Sequence, residues 1–167
     1  MNKVTMRGNP VTLEGEFPAV NSKMKDFTLL ANNLSPKTAA DYSGKVVVFV
    51  AIPSIDTGVC DMEVRKFNEK AASLSKDVKI VAVSTDLPFA QSRWCGQNGI
   101  ENVEILSDHY TASFGKDYGI LIKELRLLAR SIFVYNKDGI LVHAELVKEI
   151  AEEPDYDAAI EAVKKSL

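Results

Sequence analysis

Cys60 is one of only two cysteines in the chain, and it closes the run PSIDTGVC (Pro53 to Cys60) directly behind the apolar stretch KVVVFVAI. Such a thiol is a candidate nucleophile, because free N–H groups and partial positive charge at a helix start favour thiolate over thiol. Asp61 and Glu63 act the other way by pushing the thiol pKa up, so a cation from elsewhere in the chain is needed. Arg130, at the opening of ARSIFVY, is the candidate: a guanidinium stays charged at any working pH. Each assignment has a plain structural alternative. Cys60 also reads as a small core residue and Arg130 as a surface arginine. Thr57, or Asp56, reads as the helix N-cap, and a capping Thr57 still keeps its hydroxyl within reach of whatever Cys60 attacks. Pro53 ends the strand and stands where it can shield a thiolate from water.

Cys95, beside Trp94, is a second core filler or a thiol that travels. A short helix ended by Gly96 opens locally at small cost, and two cysteines with Cα atoms beyond about 7 Å cannot bridge without movement. The pair lacks the C-x-x-C spacing of disulfide reductases. His109 and His143 are the only histidines; they read as a loop residue and a sheet-surface residue, and a metal site has no other ligands to draw on.

The elements that must position these residues follow from periodicity. Lys45–Ile52 is a continuous apolar run, as expected of a strand covered on both faces at the sheet centre. From Thr57 the spacing of Cys60, Val64, Phe67, Ala71 and Leu74 makes one apolar face of a helix. DVKIVAVSTD is another buried strand, and Pro88 opens the helix PFAQSRWCGQNG, which Gly96 and Gly99 close with Cys95 in its last turn. VEILSD is β, SFGKDYGI a brief helical turn, and ARSIFVYNKDGILVHAELV a hairpin turning at Asn136–Gly139. PDYDAAIEAVKKSL is a terminal helix with Tyr156, Ile160, Val163 and Leu167 on one face. At the start, VTMRGNPVTLEG reads as a hairpin turning at Gly8-Asn9-Pro10, and DFTLLA as a weak strand. The order β, β, α, β, α, β, short α, β, β, α predicts an α/β thioredoxin-like sandwich, one domain over 1–167 with an N-terminal hairpin (1–15) appended.

At 46% hydrophobic residues the chain has ample material for a core, and a net charge of −3 gives no long-range attraction to nucleic acid or anionic lipid. The N-terminus lacks a signal-type apolar region and the longest apolar run is far too short to span a bilayer, so a cytoplasmic protein is expected, with its cysteines normally reduced.

Pro53-x-x-x-Thr57-x-x-Cys60, between a central strand and a helix, resembles the active-site motif of the peroxiredoxins. With VRKFN, DLPFAQSRWCG, LLAR and EPDY the chain is similar nearly end to end to their atypical two-cysteine branch, the bacterial thiol peroxidases. The resemblance implies a peroxiredoxin-type sandwich that reduces hydrogen peroxide and organic hydroperoxides without metal, haem or flavin. Cys60 then matches the peroxidatic cysteine and Cys95 the resolving cysteine that forms an intramolecular disulfide with it. Thr57 matches the threonine that holds the peroxide, Pro53 the proline covering the thiolate, and Arg130 the arginine polarising both. Thioredoxin is implied as reductant and a homodimer as the assembly. The rival expectation is a non-enzymatic redox sensor or peroxide relay, in which a partner reads the Cys60 disulfide.

Overall fold

The computed structural model describes residues 3–167, so residues 1 and 2 of the expected N-terminal appendage lie outside the described residues. The short strands β1 (Val4–Met6), β2 (Asn9–Val11) and β3 (Leu13–Glu14) come first, then β4 (Thr28–Leu30), β5 (Pro36–Thr38) and a 3-10 turn over Ala39–Tyr42. Next, β6 (Val46–Ala51) leads into α1 (Gly58–Ala71), β7 (Val78–Ser84) into α2 (Pro88–Asn98), and β8 (Glu104–Ser107) into α3 (Ser113–Asp117). A small hairpin of β9 (Leu121–Ile122) and β10 (Leu127–Leu128) precedes β11 (Ser131–Tyr135), β12 (Leu141–Leu146) and α4 (Tyr156–Lys165).

Seven of these strands form one sheet in the order β12-β11-β6-β7-β8-β4-β5, with β6, β7 and β8 parallel and both flanks antiparallel. The valine-rich run becomes β6 because an interior strand must be apolar on both sides. Val47, Phe49 and Ala51 face one core, while Val46, Val48 and Val50 face the other. The first core is aromatic: Phe49 packs edge-on against Phe27 at 5.5 Å, and Phe114 stacks on Tyr118 at 4.2 Å. The second is built by α1, α2 and α4, which contribute Val64, Phe67, Trp94, Ala159 and Val163. Burying a side chain of the size of Phe49 or Phe67 stabilises the fold by roughly 1.5–3 kcal/mol, and the sheet is thereby a firm base for the loops at its strand ends.

Several expectations need correction. The first hairpin turns at Arg7-Gly8, with Met6 opposite Asn9 and φ values of 51° and 80°; Asn9 and Pro10 belong to β2. The positive φ at both positions is what a two-residue hairpin with the right strand twist requires. On α4 the buried residues are Ala159 and Val163, whereas Leu167 lies past the helix end and is exposed. Helix α4 starts at an Asp155 cap, whose side chain accepts from the Ala158 N–H. Leu13–Glu14, read as part of the first hairpin's second arm, pairs instead with β9, and β5, β9, β10 and the 3-10 turn lie beyond the sequence reading because two- or three-residue pieces carry too little periodicity.

The first hairpin is fastened by Glu149, whose carboxylate accepts from Thr5 Oγ1 at 2.6 Å, from the N–H groups of Arg7 and Gly8 at 2.9 and 3.1 Å, and from Ala151 N–H at 3.1 Å. The Thr5 hydroxyl, then these backbone donors, hold the carboxyl down at about 2. A folded pKa below the unfolded value contributes stability that is present above the ordinary carboxylate pKa and is lost as pH falls towards 2. Acidification below about pH 4 should therefore raise amide exchange selectively over Val4–Val11, and Glu149→Gln should show that loosening already at neutral pH. Unchanged protection in Glu149→Gln would remove this fastening role.

Candidate active site

Strand β6 ends at Ala51, and the chain then turns through a buried Pro53 to the exposed N-cap Thr57. The turn is pinned to the end of β7. Asp86 accepts from Ser54 Oγ and Ile55 N–H, each at 2.8 Å, and from Ser84 Oγ at 2.6 Å. Thr57 sits at the N-cap with extended backbone but makes no side-chain cap. Its hydroxyl donates back to the Ser54 carbonyl at 3.0 Å, which corrects the capping expectation. Its proton is thus occupied while its lone pairs stay available to accept from a ligand.

Cys60 lies in the first turn of α1 and is fully buried. Arg130, the residue before β11, is only 2% exposed, which excludes the surface alternative. Its Nε donates to the Ile150 carbonyl at 2.8 Å, aiming the guanidinium inward, and its Nη2 reaches Cys60 Sγ at 3.3 Å. Nη1 is paired with Glu63 Oε2. The cation therefore bridges a carboxylate and the sulfur in a site closed to bulk water, where its field acts on the sulfur with little screening.

Glu63 reads from sequence only as a nearby charge acting on Cys60, and its pairing with Arg130 is the functional contact the sequence did not reveal. It is fully buried, and burial pushes its carboxyl up to about 7 although Arg130 pulls in the opposite direction. Glu63 is three residues from Cys60 and so shares the apolar face of Val64 and Phe67. A carboxylate on such a face demands a buried cation, and that was the available signal.

Cys95 is not brought to Cys60: both thiols are free, and Cys95 is half-buried. It lines a groove with Asn32, Ile100 and Ile105, against the β8 and β4 flank. Burial raises the Cys95 thiol pKa, and a hydrogen bond with Asn32 offsets part of the rise. Cys60 is lodged against the end of β11, so β6 and β7 lie between the two regions of the sheet. Three inter-strand spacings of about 4.8 Å make that about 14 Å, too far for a disulfide without movement. Of the two glycines expected to close α2, Gly99 does so with φ 61° and Cys95 lies in the last turn as expected, but Gly96 lies within the helix, which runs on to Asn98. His143 is half-buried on β12 and His109 is exposed, and among the described residues no cluster of His, Cys, Asp and Glu could hold a metal ion.

A buried thiol at a strand-to-helix turn, facing a buried arginine across an α/β sandwich, defines a thioredoxin-like redox protein, and the family model described as Redoxin matches residues 19–160. A peroxiredoxin-like protein from Aquifex aeolicus superposes with a TM-score of 0.93, at 36% identity, over 100% of this chain and 98% of its own. Thiol peroxidase from Bacillus subtilis (strain 168) is 54% identical over 98% of both chains, and that from Halalkalibacterium halodurans 52% identical over 100% of both. The chain belongs to the Redoxin family as a thiol peroxidase, an enzyme that reduces peroxides.

Proposed function

We infer that Cys60 is the peroxidatic thiol and Cys95 the resolving thiol of a two-cysteine cycle. The observation that carries this reading is the 3.3 Å contact between Arg130 Nη2 and Cys60 Sγ, which sets a permanent cation directly against the sulfur. Because Cys60 is fully buried, a peroxide reaches it when the exposed turn at Asp56–Gly58 shifts aside. Thr57 then accepts the peroxide O–H, the thiolate attacks the near oxygen, and the O–O bond breaks. Arg130 and the N–H groups at the start of α1 stabilise charge on the departing oxygen, which leaves as water or alcohol after taking up a proton. Pro53, buried behind the turn, keeps water from the sulfur.

Cys60 is now a sulfenic acid. The Cys95 thiolate attacks its sulfur, expels water and leaves a disulfide. A dithiol of low potential must reduce that bond, and thioredoxin is the chemical match, which places the cycle in a reducing compartment such as the cytoplasm. A homodimer is the proposed assembly, with exposed apolar Leu87 and Phe89 at the start of α2 available to a second copy.

Peroxide titration of the reduced protein, with peptide mapping under non-reducing conditions, tests the reading. One equivalent should consume both thiols and join Cys60 to Cys95; mixed intermolecular products alone would overturn it. In Thr57→Val the thiol should persist but react about ten- to a hundredfold more slowly, the loss of one placed hydrogen bond to the reacting peroxide. A near wild-type rate would take Thr57 out of the mechanism.

A further inference from the structure

Helix α2 is held very differently at its two ends. Towards its start Gln91 is fully buried, its Nε2 donating to Ser84 Oγ at 2.9 Å and to the Leu106 carbonyl at 3.0 Å. Towards its end the helix is tied to α1 by a closed ring of polar contacts. Trp94 Nε1 donates to Asp61 Oδ1 at 2.8 Å, and Arg65 Nε donates to both Asp61 oxygens at 3.1 Å. Arg65 Nη2 binds Asn98 Oδ1, and Asn98 Nδ2 returns to the Trp94 carbonyl at 2.8 Å. The guanidinium also lies 5.8 Å from the Trp94 ring centroid.

The geometry points to a latch: Asp61, Arg65, Trp94 and Asn98 hold the C-terminal half of α2 on α1 and set how often Cys95 is released towards Cys60. The inference rests on the two-cysteine reading above. Asp61 follows Cys60 and Trp94 precedes Cys95, so the ring ties together the chain segments carrying the two thiols while the thiols themselves stay apart. Its ion pair is partly open to water, with the Arg65 and Asp61 side chains 45% and 33% exposed. Contacts of this kind are individually weak, as suits a joint that must open in every cycle. Gly96 lies inside the half that opens, and a methyl added there would meet open space. Its role is therefore conformational, since an interior glycine weakens a helix relative to alanine.

The rate of Cys60–Cys95 disulfide formation then depends on latch opening, while attack on peroxide does not. A slow latch leaves the Cys60 sulfenic acid waiting, exposed to a second peroxide that converts it to sulfinic acid. Two substitutions that leave both reacting side chains in place move the rate in opposite directions. Arg65→Ala should speed the peroxide-independent step by about fivefold, from the loss of one partly exposed ion pair and its stacking, and Arg65→Lys by less. Gly96→Ala should slow the same step by about two- to fivefold and increase sulfinic acid at high peroxide.

Rapid acid quench with thiol alkylation and mass spectrometry separates the two steps, and amide exchange over residues 92–99 of the reduced proteins reads the latch without any chemistry. The expected result is faster exchange and faster disulfide formation in Arg65→Ala, slower in both for Gly96→Ala, and peroxide attack within about twofold of the parent protein in each. A global loss of stability alone would not produce opposite signs. Unchanged exchange in Arg65→Ala, or altered exchange with an unchanged disulfide rate, overturns the latch. If the parent protein forms no intramolecular disulfide, the two-cysteine reading fails and takes the gating role with it; exchange that still differs between the variants distinguishes that failure from a missing latch.

Discussion

Cys60→Ser should lose thioredoxin-coupled peroxide turnover by at least about 10⁴-fold, the scale seen when an enzyme's nucleophile is removed. A serine hydroxyl beside Arg130 remains un-ionised at neutral pH and attacks peroxide oxygen negligibly. Nor can the other thiol substitute, because burial raises the Cys95 pKa and its side-chain partner is the neutral Asn32. Cys95→Ser should behave differently, reacting with one equivalent of peroxide at close to the parent rate and then stalling as a sulfenic acid that further peroxide inactivates. NADPH oxidation coupled through thioredoxin and its reductase measures turnover, and a sulfenate-trapping reagent measures the stalled species. Substantial turnover in Cys60→Ser would make PSIDTGVC an ordinary strand-to-helix turn.

The second large effect concerns Arg130, whose two partners ask different things of it. Arg130→Met removes the cation facing Cys60 Sγ and also strands Glu63, a fully buried carboxyl group, with no partner. Breaking one side of a buried ion pair costs about 3–5 kcal/mol, whereas replacing both sides with apolar groups of similar volume is often neutral. Arg130→Met should thus be destabilised by about that amount and react with peroxide about 10²–10³-fold more slowly. In the double variant Glu63→Met, Arg130→Met, stability should largely return while the reaction stays slow. The sign of the pH dependence follows from the same pair. Without Arg130, burial and, less strongly, the nearby Glu145 and Glu153 carboxylates all hold the folded pKa of Glu63 above the unfolded value, so its stabilising contribution is present at low pH and disappears as pH rises through the folded pKa. Denaturant unfolding of Arg130→Met should accordingly show better stability near pH 5 than near pH 8. If the double variant recovered activity along with stability, the electrostatic role at Cys60 would be lost.

The sandwich was legible because its main elements have clean periods. The Val46–Ala51 run admits only a strand buried on both faces, and Cys60, Val64 and Phe67 fall on one side of a helix. Cys60 and Arg130 stood out as candidates by chemistry, since a thiolate needs a cation, whereas the role of Thr57 came from the resemblance to the peroxiredoxins. What distance along the chain hides is which charge answers which. Arg130 and Glu63 lie 67 residues apart, and only the pairing of β11 with β6 brings them together over α1. Thr57 was misread for a local reason: capping and the Ser54 contact compete for one hydroxyl, and the Asp86-pinned turn decides in favour of Ser54. Of the two glycines read as closing α2, Gly99 does so, while Gly96 stays inside because a single glycine is tolerated within a helix, at a cost, when its other contacts hold.

Trp94 is the sole tryptophan in the chain, and it stands between Asp61 and Arg65 with 9% of its surface exposed. Its indole is thus held in a largely dry site, hydrogen-bonded and flanked by a cation, next to Cys95. An opening of that part of the helix should pass the ring into water and change its emission in colour and yield. The proposed latch would in this way report its own opening in the light the protein emits, from a single site and without an attached dye.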